Sequence, residues 1–186
     1  VRFTHDTEMA LLATAALVNT APNASDSGED EMRTAEQLEA FVADNQYSGS
    51  RTRDDVELDE VRDLRPRLRE LWDDDVEAVV DRVNTLLREH DALPQLVRHD
   101  GWDWHIHAVG ADHPLAERIA VEAALAVVDL VRADELSRLR LCAAEDCDAV
   151  LIDLSRNRSK RYCDVGNCGN RANVAAYRAR KAAGER

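Results

Sequence analysis

From its N-terminal side onward, the chain sets most of its apolar positions at helical spacing. Residues 9–19 form a nearly unbroken apolar run, the length of a short buried helix. The Ser-, Asn-, Asp- and Gly-containing residues 20–30 that follow predict a mobile loop. Thr34-Ala35-Glu36-Gln37 is a capping-box pattern ahead of Leu38, Phe41 and Val42, and that helix should stop before Tyr47-Ser48-Gly49. Val61, Leu64, Leu68 and Leu71 recur at helical spacing, with Pro66 predicting a kink or a break. Asp73-Asp74-Asp75 places acid where a helix N-terminus favours it, and Val76, Val79, Val80, Val83 and Leu87 line the face behind it. The period then changes. Residues 95–99 and 102–109 flank Asp100-Gly101, a hairpin turn signal, and Trp102, Trp104 and Ile106 share one strand face that core packing would bury. Residues 115–131 are so uniformly apolar that their helix should lie at the centre of the domain, and residues 134–141 form a short helix or turn beyond it.

Cys142, Cys147, Cys163 and Cys168 change the picture for the last quarter of the chain. They are the only cysteines, spaced C-x4-C, fifteen residues, C-x4-C. Two close pairs supply four thiolates from two tight loops, the ligand set of one tetrahedral zinc ion with no open position for water. Such a site is structural rather than catalytic. The alternatives for these thiols are unrelated buried or disulfide-bonded cysteines, or a redox switch. Between the pairs, residues 149–154 and 159–162 read as two strands joined through Ser155-Arg156-Asn157-Arg158, and residues 170–183 read as a helix. Knuckle, hairpin and helix make a treble-clef-like order. A module of this size buries too little surface to stand alone, so metal should supply folding energy. The expected fold is mainly α with a small β-hairpin in residues 1–137, then a zinc finger over 138–186.

Charge separates the same two parts. Over 138–186 there are 11 Lys/Arg against 6 Asp/Glu, net +5, which leaves −18 for the remainder of a chain whose total is −13. The acidic total argues against general nucleic-acid affinity, while the basic tail argues for a local surface. An acidic body opposite a basic finger also suggests autoinhibition, with the body covering Arg171 and Arg178. Clustering of every cysteine in 27 residues fits a reducing cytoplasm better than a secreted disulfide scaffold. The run 9–18 lacks the positive flank of a signal peptide, and the longest apolar runs, near ten residues, fall short of the roughly 20 that span a membrane.

Cys168-Gly169-Asn170-Arg171 reads C-G-N-R. With the Cys142/Cys147 pair, Asp153, Ser155-Arg156 and Tyr177-Arg178-Ala179-Arg180, the C-terminal part resembles the CGNR zinc-finger family. The N-terminal part is similar to the ABATE domain that precedes such fingers, through Leu17-Val18-Asn19-Thr20, the Trp-containing hairpin and the helix entering the finger. The resemblance implies a stress-linked bacterial transcription regulator with a DNA-binding finger. Two residues depart from the pattern: Tyr162 stands where Trp is usual, and Asn173 where Lys is common, removing a positive charge.

On this reading Arg156, Arg158, Lys160 and Arg161 of the hairpin hold phosphates, and Arg171, Arg178, Arg180 and Lys181 of the helix contact DNA. Val174 and Tyr177 would pack on the hairpin, turning Arg171 and Arg178 outward. Alternatively the arginines solvate the surface or pair with the acidic body, Asn170 and Arg171 brace the knuckle, and Gly169 permits a tight turn. Besides duplex DNA, a protein partner, a second copy of the chain or a small-molecule effector of the N-terminal domain are possible partners. His99, His105 and His107 could form a second metal site, although strand histidines are more often simply part-exposed. No carboxylate stands in a catalytic frame with His, Ser or a phosphate loop, so no enzymatic activity is expected.

Overall fold

The computed structural model describes residues 3–98, 101 and 103–182. Six helices dominate it: α1 (His5–Val18), α2 (Ala35–Asp44), α3 (Asp55–Arg69), α4 (Val76–Glu89), α5 (Leu115–Arg132) and α6 (Cys168–Ala182). Helix α5 carries ten buried residues and packs against α1, α3 and α4, the central position its composition predicts. Leu11, Leu17, Val61, Leu68 and Val79 belong to the same buried cluster as Ile119 of α5, all with almost no exposed surface. Helix α2 starts on the predicted capping box: Gln37 N–H donates to Thr34 Oγ1, and Thr34 N–H to Gln37 Oε1. In α4 the cap is Asp75, and the buried face runs through Val79, Val83 and Leu86, leaving Val76 exposed.

Four expectations need correction. Pro66 does not end α3, which continues to Arg69. A proline there deprives the Arg62 carbonyl of its helical donor, and the Arg65 guanidinium replaces it, Nε donating to Arg62 O at 3.2 Å. Residues 20–31 are a folded loop rather than a mobile one. Glu31 N–H closes it on Thr20 O, Ser25 Oγ donates to Glu29 O, and Arg65 grips the Asp30 carboxylate through two 2.8 Å bonds. Trp104 is 62% exposed, with the Arg98 guanidinium over its ring, so it does not pack in the core. It belongs with Ile106 to the outer face of a hairpin, β1 (Gln95–Val97) paired antiparallel with β2 (His105–His107), whose inner face is held by His105 and His107. Trp102, His99 and the Asp100 half of the turn lie outside the described residues.

The fourth correction concerns the C-terminal hairpin. Strand β3 (Leu139–Leu141) lies before the first cysteine and pairs antiparallel with β4 (Val150–Ile152), while residues 159–162 form no strand. The buried Asp153 carboxylate is the cause: it accepts from Ser155 N–H, Ser155 Oγ and Lys160 N–H and curls the chain between them. Arg158 completes the turn at φ 50°.

The β3–β4 hairpin joins the helical core. Val150 and Ile152 belong to the same apolar cluster as the helices. The Asn19 side chain, just past α1, acts as a short strand beside β4: Nδ2 donates to Val150 O at 2.9 Å and Oδ1 accepts from Val150 N–H at 2.8 Å. Trp72 Nε1 donates to Leu151 O, and Arg138, 4% exposed, joins the Glu135 carboxylate to the carbonyls of Asp153 and Ser155.

Candidate metal centre and nucleic-acid surface

Two loops bring the four cysteines together. The first turns between β3 and β4, with Cys142 N–H donating to Ala149 O and Cys147 N–H to Ala144 O. The second passes through Asn167, whose φ of 51° makes the bend that starts α6 at Cys168. Residues 159–162 run beside the first loop, where Arg161 O accepts from Ala143 N–H. All four sulfurs lie within 4.8 Å of one another, with Cys163 Sγ 3.7 Å from those of Cys147 and Cys168. Sulfurs about 2.3 Å from a central zinc stand about 3.8 Å apart, so the spacing fits one tetrahedral ion. The four cysteines form no disulfide here and converge on one centre, as a shared ion requires.

The electrostatics ask for a cation at that centre. Burial and the neighbouring thiols of Cys142, Cys168 and Cys147 push the Cys163 thiol well above its ordinary pKa. Burial also opposes ionisation of Cys142, but there the backbone N–H groups of Cys163 and Ala144 prevail and lower its pKa. Four thiolates this close are tenable only around a positive ion, which would leave the cluster with about −2 charge. Arg171 answers part of that charge. Its Nη2 lies 3.2 Å from Cys168 Sγ, and its guanidinium is bidentate on Asp146 at 2.6 and 3.1 Å. That hydrogen bond in turn holds the Asp146 carboxyl below its usual range. Gly169 is helical, its Cα side facing the Tyr162 ring, rather than a turn residue. The helical body also contributes: Ala24 packs in the cysteine cluster, and Asn23 O accepts from Asp148 N–H.

The ABATE family, described as "Putative stress-induced transcription regulator", matches residues 13–134. The chain belongs to the ABATE family. The CGNR zinc finger matches residues 138–181 behind the ABATE part, so the cluster binds one structural zinc ion. No curated protein matches the chain.

The basic residues divide into two sets. Arg158 is bound to the buried Glu135 carboxylate at 2.6 Å, Lys160 to Asp164 at 2.5 Å, and Arg171 to Asp146 and the metal centre. Arg161 stacks over Tyr162. Arg156, Arg178, Arg180 and Lys181 are exposed and make no ion pair among the described residues. The partners of Arg171 and Arg158 are on or next to the finger, and Arg178 is open, so the acidic body does not cover Arg171 and Arg178. Nor do Val174 and Tyr177 pack on the hairpin: both are exposed, Tyr177 at 60%. At about 100° per residue, Arg178 and Lys181 share an arc of about 60° with Val174 between them in angle and one turn before Arg178, while Arg180 points to the opposite side. Among the described residues the four cysteines are the one cluster of three or more potential metal ligands, so His105 and His107 gain no third ligand there. Among the described residues no helix is long and apolar enough to cross a membrane.

The sequence reading missed three residues that the site needs: Asn19, Glu135 and Ala24. Only Asn19 carried a signal, a polar residue at the end of an apolar helix, and its partner is 131 positions away.

Proposed function

We propose that this ABATE-family protein is a cytoplasmic, zinc-dependent regulator of transcription whose finger binds duplex DNA, acting as a binder rather than a catalyst. One observation carries the reading: α6 leaves a zinc ligand, is exposed along its length beyond the first turn, and presents Arg178 and Lys181 on one side without protein partners among the described residues. A rigid helix with free cations matches the major groove, and the exposed Arg156 and Arg161 beside it suit phosphates. Arg171 supports the helix from the metal side and is a positioning residue.

The test is fluorescence anisotropy of a labelled genomic duplex with zinc-loaded protein at about 50 and 200 mM salt. Affinity should fall with salt, and Arg178→Ala/Lys181→Ala should reduce the logarithmic salt slope by about two. Absence of binding at low salt by folded, zinc-loaded protein refutes this reading. The exposed Val174 and Tyr177 favour a second one, in which α6 docks a protein; Tyr177→Ala should then abolish that complex while leaving salt-dependent DNA binding absent.

A further inference from the structure

The β1–β2 hairpin carries its large apolar side chains outward. Leu96 stands opposite Ile106 in the strand register, and Trp104 lies two residues from Ile106 on the same face. The three are 67%, 45% and 62% exposed, whereas the alternate positions, His105 and His107, are buried and half-buried. A cross-strand pair and its diagonal neighbour are within reach of one another, so the three form one patch. On the helices of the ABATE part, exposed large apolar residues come singly: Leu12 on α1, Val56 on α3 and Val76 on α4. Single residues of that kind are ordinary surface, but a joined cluster on the outer face of a sheet marks a contact.

Charge narrows what can cover the patch. Residues 94–107 hold one Arg and two Asp, net −1, so −17 of the −18 carried by residues 1–137 lies elsewhere. Two such acidic bodies repel each other least where these hairpins meet, and a basic partner would be drawn to the acidic remainder instead. The rim of the patch holds both signs. The exposed Arg98 guanidinium lies 5.3 Å from the centre of the Trp104 ring, and the exposed Asp103 carboxylate accepts the Trp104 N–H at 2.8 Å. A cation and an anion on one rim complement themselves after a two-fold rotation. Size points the same way. At these exposures the three side chains present roughly 350 Å² of apolar surface, in the range of the largest patch on a monomer. Closing two of them face to face removes about 700 Å², and the stems and heads of Arg98 and Asp103 bring the contact near about 1,000 Å², the lower bound of a specific interface.

We infer that the outer face of the β1–β2 hairpin docks a second copy of this chain. The two-fold axis runs along the strands, so β1 of each copy lies over β2 of the other, Leu96 against Ile106, with Arg98 of each copy meeting Asp103 of the other across the rim. A contact of this size is reversible, with a Kd in the micromolar range. The pair carries two fingers, and a DNA site for it would hold two copies of its sequence. The docking face is separate from the finger and its test uses no DNA, so it stands or falls apart from what the finger binds.

The experiment is sedimentation equilibrium of the full, zinc-loaded protein under reducing conditions, from about 1 to 200 µM, a range that brackets a micromolar Kd. The parent should pass from monomer to dimer across that range. Trp104→Ala should raise the dimer Kd at least about tenfold, and Leu96→Glu should remain monomeric throughout. Tyr177→Ala, on the finger, should dimerise like the parent. Arg98→Asp and Asp103→Arg should each weaken the dimer alone, and an equimolar mixture of the two should recover it, because each chain then supplies the charge that the other lacks. That recovery needs contact between two chains, so it decides the matter if Leu96→Glu does not retain zinc and helical structure. A parent that stays monomeric throughout overturns the inference and leaves the face to a different partner. So does a dimer that survives Leu96→Glu, one that is lost in Tyr177→Ala, or a mixture that pairs no better than its two components.

Discussion

Asn19→Ala isolates the joint between the ABATE part and the finger. The side chain makes two hydrogen bonds to one backbone residue, Val150, and Asn19 is 6% exposed. Alanine removes both partners at once and leaves Val150 N–H and C=O buried beneath α1. An unsatisfied buried backbone group costs about 1–3 kcal/mol, so the pair sets a range of about 2–6 kcal/mol. Val150 itself is 1% exposed, but the space vacated by the amide is large enough to let a water approach, which places the expected loss in the lower half, about 2–4 kcal/mol. For a chain of this length that is a fall of roughly 4–16 °C in Tm. Val150 sits on the strand that leads out of the first zinc loop, so the same change should speed zinc transfer to a chelator. Thermal unfolding by circular dichroism and chelator-driven zinc release, beside the exposed control Asn173→Ala, measure both effects. A Tm within about 1 °C of the parent would refute the reasoning, since the two hydrogen bonds would then carry none of the joint.

Glu135→Ala should destabilise by about 3–5 kcal/mol, because it leaves the buried Arg138 guanidinium without its carboxylate; urea unfolding checks this, and a loss below about 1 kcal/mol would contradict it. Gly49→Ala should cost about 2–4 kcal/mol: its φ is +98°, and a Cβ there would lie 2.6 Å from Arg118 Nη1 and 2.7 Å from Ala111 O, so the new methyl must displace the guanidinium that ties down the Ser48–Ser50 carbonyls. An unchanged urea midpoint would show that the loop does not need that grip. Acid should loosen the 20–31 loop. The Arg65 hydrogen bonds hold the Asp30 carboxyl down at about 2 against an ordinary 3.8, so its stabilisation is complete above the ordinary value and is lost as pH falls toward 2. Stability should therefore drop between about pH 4 and 2 less steeply in Asp30→Asn than in the parent, and parallel profiles would exclude Asp30 as a source of acid sensitivity.

Much of the fold could be read from the sequence because its information was local. The Thr34–Gln37 capping box, the apolar stripe of α5 and the paired cysteines each depend on residues within a few turns or a few loop positions of each other. What escaped reading depends on long-range partners. Periodicity put Trp104 and Ile106 on one strand face, but it could not tell which face meets the core, since His105 and His107 occupy the alternate one. Residues 159–162 read as a strand, yet Asp153 accepts the Lys160 N–H and Ser155 Oγ accepts that of Ser159, which draws the segment into a turn. The basic residues show the same limit: composition counted eight cations as equivalent, and geometry commits Arg158, Lys160 and Arg171 to carboxylates while leaving Arg178 and Lys181 open.

The Asn19–Val150 contact spans 131 positions, which gives the fold an order in time. During synthesis at about 5–20 residues per second, α1 waits roughly 7–26 s before the strand it holds has been made. The helices can collapse on one another in that interval, but the edge reserved for β4 stays open, as do Asn23 and Ala24 where they will meet the first cysteine loop. β4, made long after α1, is therefore the segment that closes against it. A cell short of zinc at that moment would accumulate chains with folded helices and an unfilled seam, exposed to proteases along α1.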